Sequence, residues 1–151
     1  MKINLTALLA ASALLVAVSS ASAMMTTSDP SPSDTMKQAE TLVKNEKYGD
    51  ASEKLTMVLK SDPQNADAWN LLGFSSRMMG NFDDAEKQYT NALKIEPNHK
   101  GALNYMGQMY VQTGRLEDAR GMLQRLKSTC GDCKEFTQLD TAIREGKAGN
   151  Y

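Results

Sequence analysis

Histidine and cysteine are scarce in this chain: there is one histidine, His99, and there are two cysteines, Cys130 and Cys133. A closed zinc site draws about four ligands from those residue types, so no metal centre is expected. The common enzyme classes need a nucleophile beside a base, a metal cluster or a phosphate-cradling loop. A lone histidine supplies little of the first, and the glycines follow neither the Walker nor the dinucleotide fingerprint. The carboxylates are scattered rather than paired. No cofactor and no catalytic residue is expected, so the chain reads as a non-enzyme.

An excess of one charge is also missing, with 17 Lys and Arg against 18 Asp and Glu. Without a basic run or an interleaved aromatic stripe, nucleic acid is excluded as a partner. Nor does any stretch alternate apolar and polar residues with the β-branched enrichment of a strand. The expected fold class is all-α.

What the chain does have begins at its first residues, "MKINLTALLAASALLVAVSSASA". Lys2 precedes an apolar run from Leu5 to Val18, and Ala21-Ser22-Ala23 is a small-x-small site. That order describes a secretory signal peptide over 1–23, cleaved between Ala23 and Met24. The run is shorter than the roughly 20 residues that cross a bilayer, and no cysteine stands near the site to take a lipid. The remaining 128 residues suffice for one domain with a core. They hold no second long apolar run, so a soluble product with no membrane insertion after cleavage is expected. Residues 24–33, "MMTTSDPSPS", read as a disordered leader acting as a spacer.

The strongest pattern is Ala66 to His99, "ADAWNLLGFSSRMMGNFDDAEKQYTNALKIEPNH". Trp69, Leu72, Gly73, Ala85, Tyr89, Ala92 and Pro97 stand at offsets 4, 7, 8, 20, 24, 27 and 32 of a 34-residue unit. The period extends back to Ala51, Leu55 and Pro63 and forward to Ala119, Leu123 and Gly131, with Gly80 matched by Gly114. Three units stand in register without insertion. The pattern resembles the tetratricopeptide repeat, a helix-turn-helix unit that stacks into a superhelix.

Small residues at offset 8 (Ala39, Gly73, Gly107) and offset 20 (Ala51, Ala85, Ala119) let paired helices approach closely. Pro63 and Pro97 end the second helices. Helices are predicted at 34–45, 48–60, 66–79, 82–95, 100–112 and 116–128. Asn65 is a candidate N-cap, Asp83 with Glu86 resembles a capping box, and His99 falls in the slot of Asn65. Beyond these, Phe136, Leu139 and Ile143 mark one face of a capping helix over 133–146. The domain is thus expected over 34–146, with repeats at 32–65, 66–99 and 100–133 and a flexible tail at 147–151.

The resemblance implies a right-handed superhelical stack whose first helices line a concave groove. It implies a protein or peptide partner bound there by Asn70, Phe74, Arg77, Met78, Asn104 and Gln108. Phe74 and Met78 are one turn apart, and two roles stay open for them: groove contact, or packing against a neighbouring repeat. Met36 stands at offset 5 of the first unit where carboxylate-gripping relatives carry a lysine, and offset 2 of the third is Gly101, so that clamp is not present in its usual form and a chaperone-type C-terminal ligand is disfavoured. A homo-oligomer through the repeats or the tail stays open.

Three readings of Cys130 and Cys133 compete. They are a disulfide clipping the turn into the capping helix, a C-x-x-C redox pair, and two ligands of a metal lacking its others. The redox reading gives the alternative function, a thiol-disulfide active protein. The main expectation is a small exported adaptor, similar to bacterial periplasmic repeat proteins, that acts as a scaffold without chemistry of its own.

Overall fold

The computed structural model describes residues 31–149. The signal peptide, its cleavage site at Ala23 and Met24, and leader residues 24–30 lie outside the described residues. Seven helices follow one another: α1 Pro32–Lys44, α2 Tyr48–Ser61, α3 Ala66–Met78, α4 Phe82–Ile95, α5 Lys100–Gln112, α6 Leu116–Cys130 and α7 Lys134–Glu145. Among the described residues there is no strand, and the architecture is an all-α helical-repeat stack. Among the described residues no helix is long and apolar enough to cross a membrane.

The 34-residue period is visible in the helix starts. Ser31, Asn65 and His99 stand one period apart, and each accepts a backbone N–H of the first turn that follows it. The acceptors are Ser31 Oγ for Asp34, Asn65 Oδ1 for Ala68 and His99 Nδ1 for Ala102, at 3.1, 2.9 and 3.1 Å. Such caps satisfy donors that the helix itself leaves unpaired. The fourth slot of the series is Cys133, the N-cap of α7, whose side chain makes no such bond. Two expectations change here. Residues 32–33, assigned to the leader, are the first turn of α1, because Ser31 caps the helix and Pro32 suits its opening. Asp83 and Glu86 form no capping box: Asn81 is the N-cap of α4, and Glu86 is engaged elsewhere.

The turns repeat as well. Gly80 and Gly114 have φ of 81° and 76°, a region where a Cβ is strained. One period before Gly80, the same turn is made by Glu46 at φ 58°.

Each first helix packs on its own second helix and on the next first helix: α1 on α3, α3 on α5, α5 on α7. Second helices meet only first helices and, for α6, the terminal α7. The layer whose members touch must be the inside of the curve, so α1, α3, α5 and α7 line the concave face. Gly73 shows how close the packing is, since a Cβ there would lie 2.7 Å from the Tyr89 ring. Gly107 behaves differently from expectation: the side chain a Cβ would meet is Leu139 of α7. The glycine is there to admit the capping helix. Leu139 and Ala142 are buried, with Phe136 and Ile143 packed beside them, so α7 closes the apolar end of the stack. Trp69 touches both the first-repeat core and the larger core behind it, joining the two.

Candidate peptide-binding groove

The inner face of α3 presents Asn70, Phe74 and Arg77 on successive turns, and α5 presents Asn104, Gln108 and Gln112 beside them. These positions are free of the repeat's packing duties, so polar residues there are not dictated by the fold. All but Gln112 are nevertheless buried: Arg77 is 1% exposed and Gln108 0%. Met78 is half-buried. The sequence places these residues on one face, as expected, but that face is not open.

What fills it is the chain itself. Asn104 Nδ2 donates to Gln138 Oε1 of α7 at 2.9 Å, and Gln108 Nε2 donates to Asn104 Oδ1 at 2.8 Å. The backbone N–H of Gly149 donates to Gln108 Oε1 at 2.9 Å. The Gly149 carbonyl accepts from an Arg77 terminal nitrogen at 3.3 Å, and the other donates to Gln112 Oε1 at 3.3 Å. One residue of the tail is therefore held by both backbone polar groups, from two helices of two different repeats. The tail over 147–149 is not the free end that its composition suggested. Gly146, at φ 64° and ψ 22°, ends α7 in the left-handed conformation, and the Lys147 N–H returns to the Ala142 carbonyl at 3.1 Å. That turn sends the chain back across α5.

Arg77 is the electrostatic centre of the groove. Its guanidinium lies 5.3 Å from the Phe74 ring centroid, and Phe74 in turn meets Tyr105 at 4.9 Å and Tyr48 at 6.0 Å. Burial pushes the phenols of Tyr48, Tyr89 and Tyr105 above the ordinary tyrosine value, while the Arg77 charge acts in the opposite direction on all three. Among the described residues no carboxylate pairs with Arg77. The Arg77 side chain faces the Tyr89 hydroxyl, and Asn70 Oδ1 has no hydrogen-bond partner among the described residues. A buried charge without a counter-ion costs several kcal/mol, and each orphaned polar group about 1–3 kcal/mol. Stability alone would favour an apolar residue at 77. The groove keeps hydrogen-bonding capacity that the fold does not use.

His99, outside the groove, holds its place through two bonds: Nδ1 takes the Ala102 N–H and Nε2 lies 3.0 Å from Asp67 Oδ1. With Nδ1 accepting, the neutral ring carries its proton on Nε2 and donates to Asp67. It acts as a cap, in keeping with its slot. Cys130 and Cys133 flank the turn between α6 and α7 with Cα atoms 5.7 Å apart, a separation that a disulfide spans. Among the described residues no strand supplies the βαβ frame that exchange enzymes place behind this motif, so the thiol-active alternative is not favoured. Gly149 and Gln138 are the groove residues that sequence reasoning missed. Only the glycine that ends α7, Gly146, hinted that the chain turns back.

The arrangement is that of an all-α repeat protein with a polar, arginine-centred inner groove. Two family models match, both described as tetratricopeptide repeat, one over residues 76–139 and the other over 55–87. Together the two matches span residues 55–139, in agreement with the 34-residue period. No curated protein matches it by sequence. Among solved structures, it is similar to the TPR domain of Arabidopsis OM64 at 16% identity and TM-score 0.70, covering 76% of this chain and 94% of that one. It is also similar to the first TPR of Spaghetti (RPAP3) bound to the HSP90 peptide SRMEEVD, at 18% identity, TM-score 0.69, 76% and 90% coverage. A third is the second TPR domain of human RPAP3 in complex with the HSP70 peptide SGPTIEEVD, at 19% identity, TM-score 0.66, 75% and 98% coverage. At these identities the likeness establishes the fold. That fold is typically a non-catalytic interaction module.

Proposed function

We propose that the protein is an exported adaptor that holds an extended segment of a partner protein in the groove between α3 and α5. The observation that carries this reading is Gly149: both backbone polar groups of one residue are met, the N–H by Gln108 and the carbonyl by Arg77. Extended peptides need such backbone partners as well as pockets for their side chains. Two of the similar domains are described with bound peptides, which supports a peptide segment as the partner.

A photo-cross-linking residue in place of Gln112, exposed at the groove's edge, tests the assignment in the cell. The partner is expected to be trapped from position 112 and not from Lys87, exposed on α4. Trapping from position 87 alone would overturn it. Export from the cytoplasm, with a bacterial periplasm as the destination, predicts a mature N-terminus at Met24, which N-terminal sequencing reads directly. In that setting Cys130 and Cys133 would be oxidised, clipping the α6–α7 turn. Closing so short a loop is worth at most about 2 kcal/mol, so reductant should lower the melting temperature modestly without abolishing partner capture.

A further inference from the structure

We infer that residues 147–149 are a tethered competitor that occupies the partner groove and must leave for a partner to enter. The inference rests on the groove being the peptide site and adds how access to it is regulated. Three observations support it. The tail is steered into place: the left-handed Gly146 and the Lys147–Ala142 bond turn the chain back over the inner layer. It is gripped there: the Gly149 N–H and carbonyl engage side chains 41 and 72 residues away in sequence. The grip is incomplete, because Asn70 Oδ1 remains without a partner among the described residues. A segment that used that group as well would hold more bonds than residues 147–149 do. The occupant in cis is thus a poor ligand made effective by attachment.

Attachment of this kind supplies an effective concentration of order 1 mM. A tail peptide whose own dissociation constant is about 100 μM would then fill the groove about nine-tenths of the time. A partner's apparent affinity would be weakened about tenfold.

The test uses a fluorescent peptide of sequence Lys-Ala-Gly-Asn-Tyr, followed by anisotropy. The chain ending at Gly146 keeps every buried core residue among those described and should bind it with a submillimolar dissociation constant. The intact chain should bind at least about tenfold more weakly. Gln108→Ala in the shortened chain should abolish binding. Gly149→Pro in the intact chain removes the N–H that Gln108 accepts and restricts the backbone of 148–149, both of which loosen the tail and leave the groove side chains unaltered, so it should bind the added peptide nearly as well as the shortened chain does. This second variant decides the matter even if shortening disturbs the fold. Equal binding by the intact chain, its Gly149→Pro variant and the shortened chain would overturn the inference, as would no binding by any of them. The groove reading fails separately: cross-linking from position 87 alone would sink it whatever the tail peptide does. A partner trapped from position 112 equally with and without the tail would sink only the tethered competitor.

Discussion

The inner layer of this stack has two halves that differ in what covers them. Along α1, Met36 and Val43 are half-buried and Glu40 and Lys44 are exposed. Along α3 and α5, the corresponding face buries Asn70, Phe74, Arg77, Asn104 and Gln108, with Asn104 bonded to α7 and Arg77 and Gln108 to the returning tail. The repeat physics is the same in both halves, since small residues at matching offsets set the helix spacing. The halves diverge because the capping helix and tail reach two repeats and stop short of the first. The fold makes the groove, and the end of the chain decides how much of it is open.

Removing the anchor of α7 should break this contrast most severely. Leu139→Ala deletes a fully buried side chain seated over Gly107, at an expected cost of about 2–5 kcal/mol. Urea denaturation gives the magnitude, and faster amide exchange in α5 than in α3 would show that the covered half has opened from its end.

Arg77→Met sharpens the contrast from the opposite direction. Replacing a buried charge that has no carboxylate partner among the described residues should leave stability unchanged or raise it by about 1 kcal/mol. Partner capture should nevertheless fall by at least about tenfold, because the groove loses its donors. A variant that loses capture only together with stability would show that Arg77 serves the fold instead.

Glu46→Gly compares the halves at their turns. The first repeat forces a glutamate into the left-handed conformation that Gly80 and Gly114 adopt in the others. Relieving it should stabilise the protein by about 1 kcal/mol, read as a higher melting temperature with no change in binding.

The smallest effect concerns the outer brace of the covered half. Glu86 accepts from Arg115 at 2.7 Å and from the Tyr110 hydroxyl at 2.8 Å. The Arg115 hydrogen bond is the main cause holding its carboxyl below the ordinary glutamate value. A lowered carboxylate pKa adds stability that is present above the unfolded-state value and is lost as pH falls through the folded-state one. Glu86→Gln should therefore lower stability slightly at neutral pH and match the unaltered chain in acid, which flattens the acid limb of the stability–pH curve. An unchanged acid limb would contradict that role.

Much of the fold was legible because packing constraints recur every 34 residues. Trp69, Gly73, Tyr89 and Pro97 each carry a requirement that few residue types meet, so position and identity point to the same helices. The face of the groove was legible for a related reason: Asn70, Phe74, Arg77, Asn104 and Gln108 occupy slots that the repeat leaves unconstrained. Its covering was not. Gly149 binds through its backbone, which every residue possesses, and its contacts lie 41 and 72 positions away. No side-chain pattern announces such a contact. Glu46 was hidden because its neighbours suggested glycine only by period, and Glu86 because its spacing from Asp83 mimics a local box while Arg115 and Tyr110 compete for it.

The central claim, that the tail occupies the groove of the free protein, is tested most directly at one atom. Hydrogen exchange of the Gly149 amide in the intact chain, followed by NMR, reports whether Gln108 holds it. Slow exchange that becomes fast in Gln108→Ala, with the helices still protected, is the predicted result. Exchange at the rate of an unstructured peptide in the unaltered chain would contradict it.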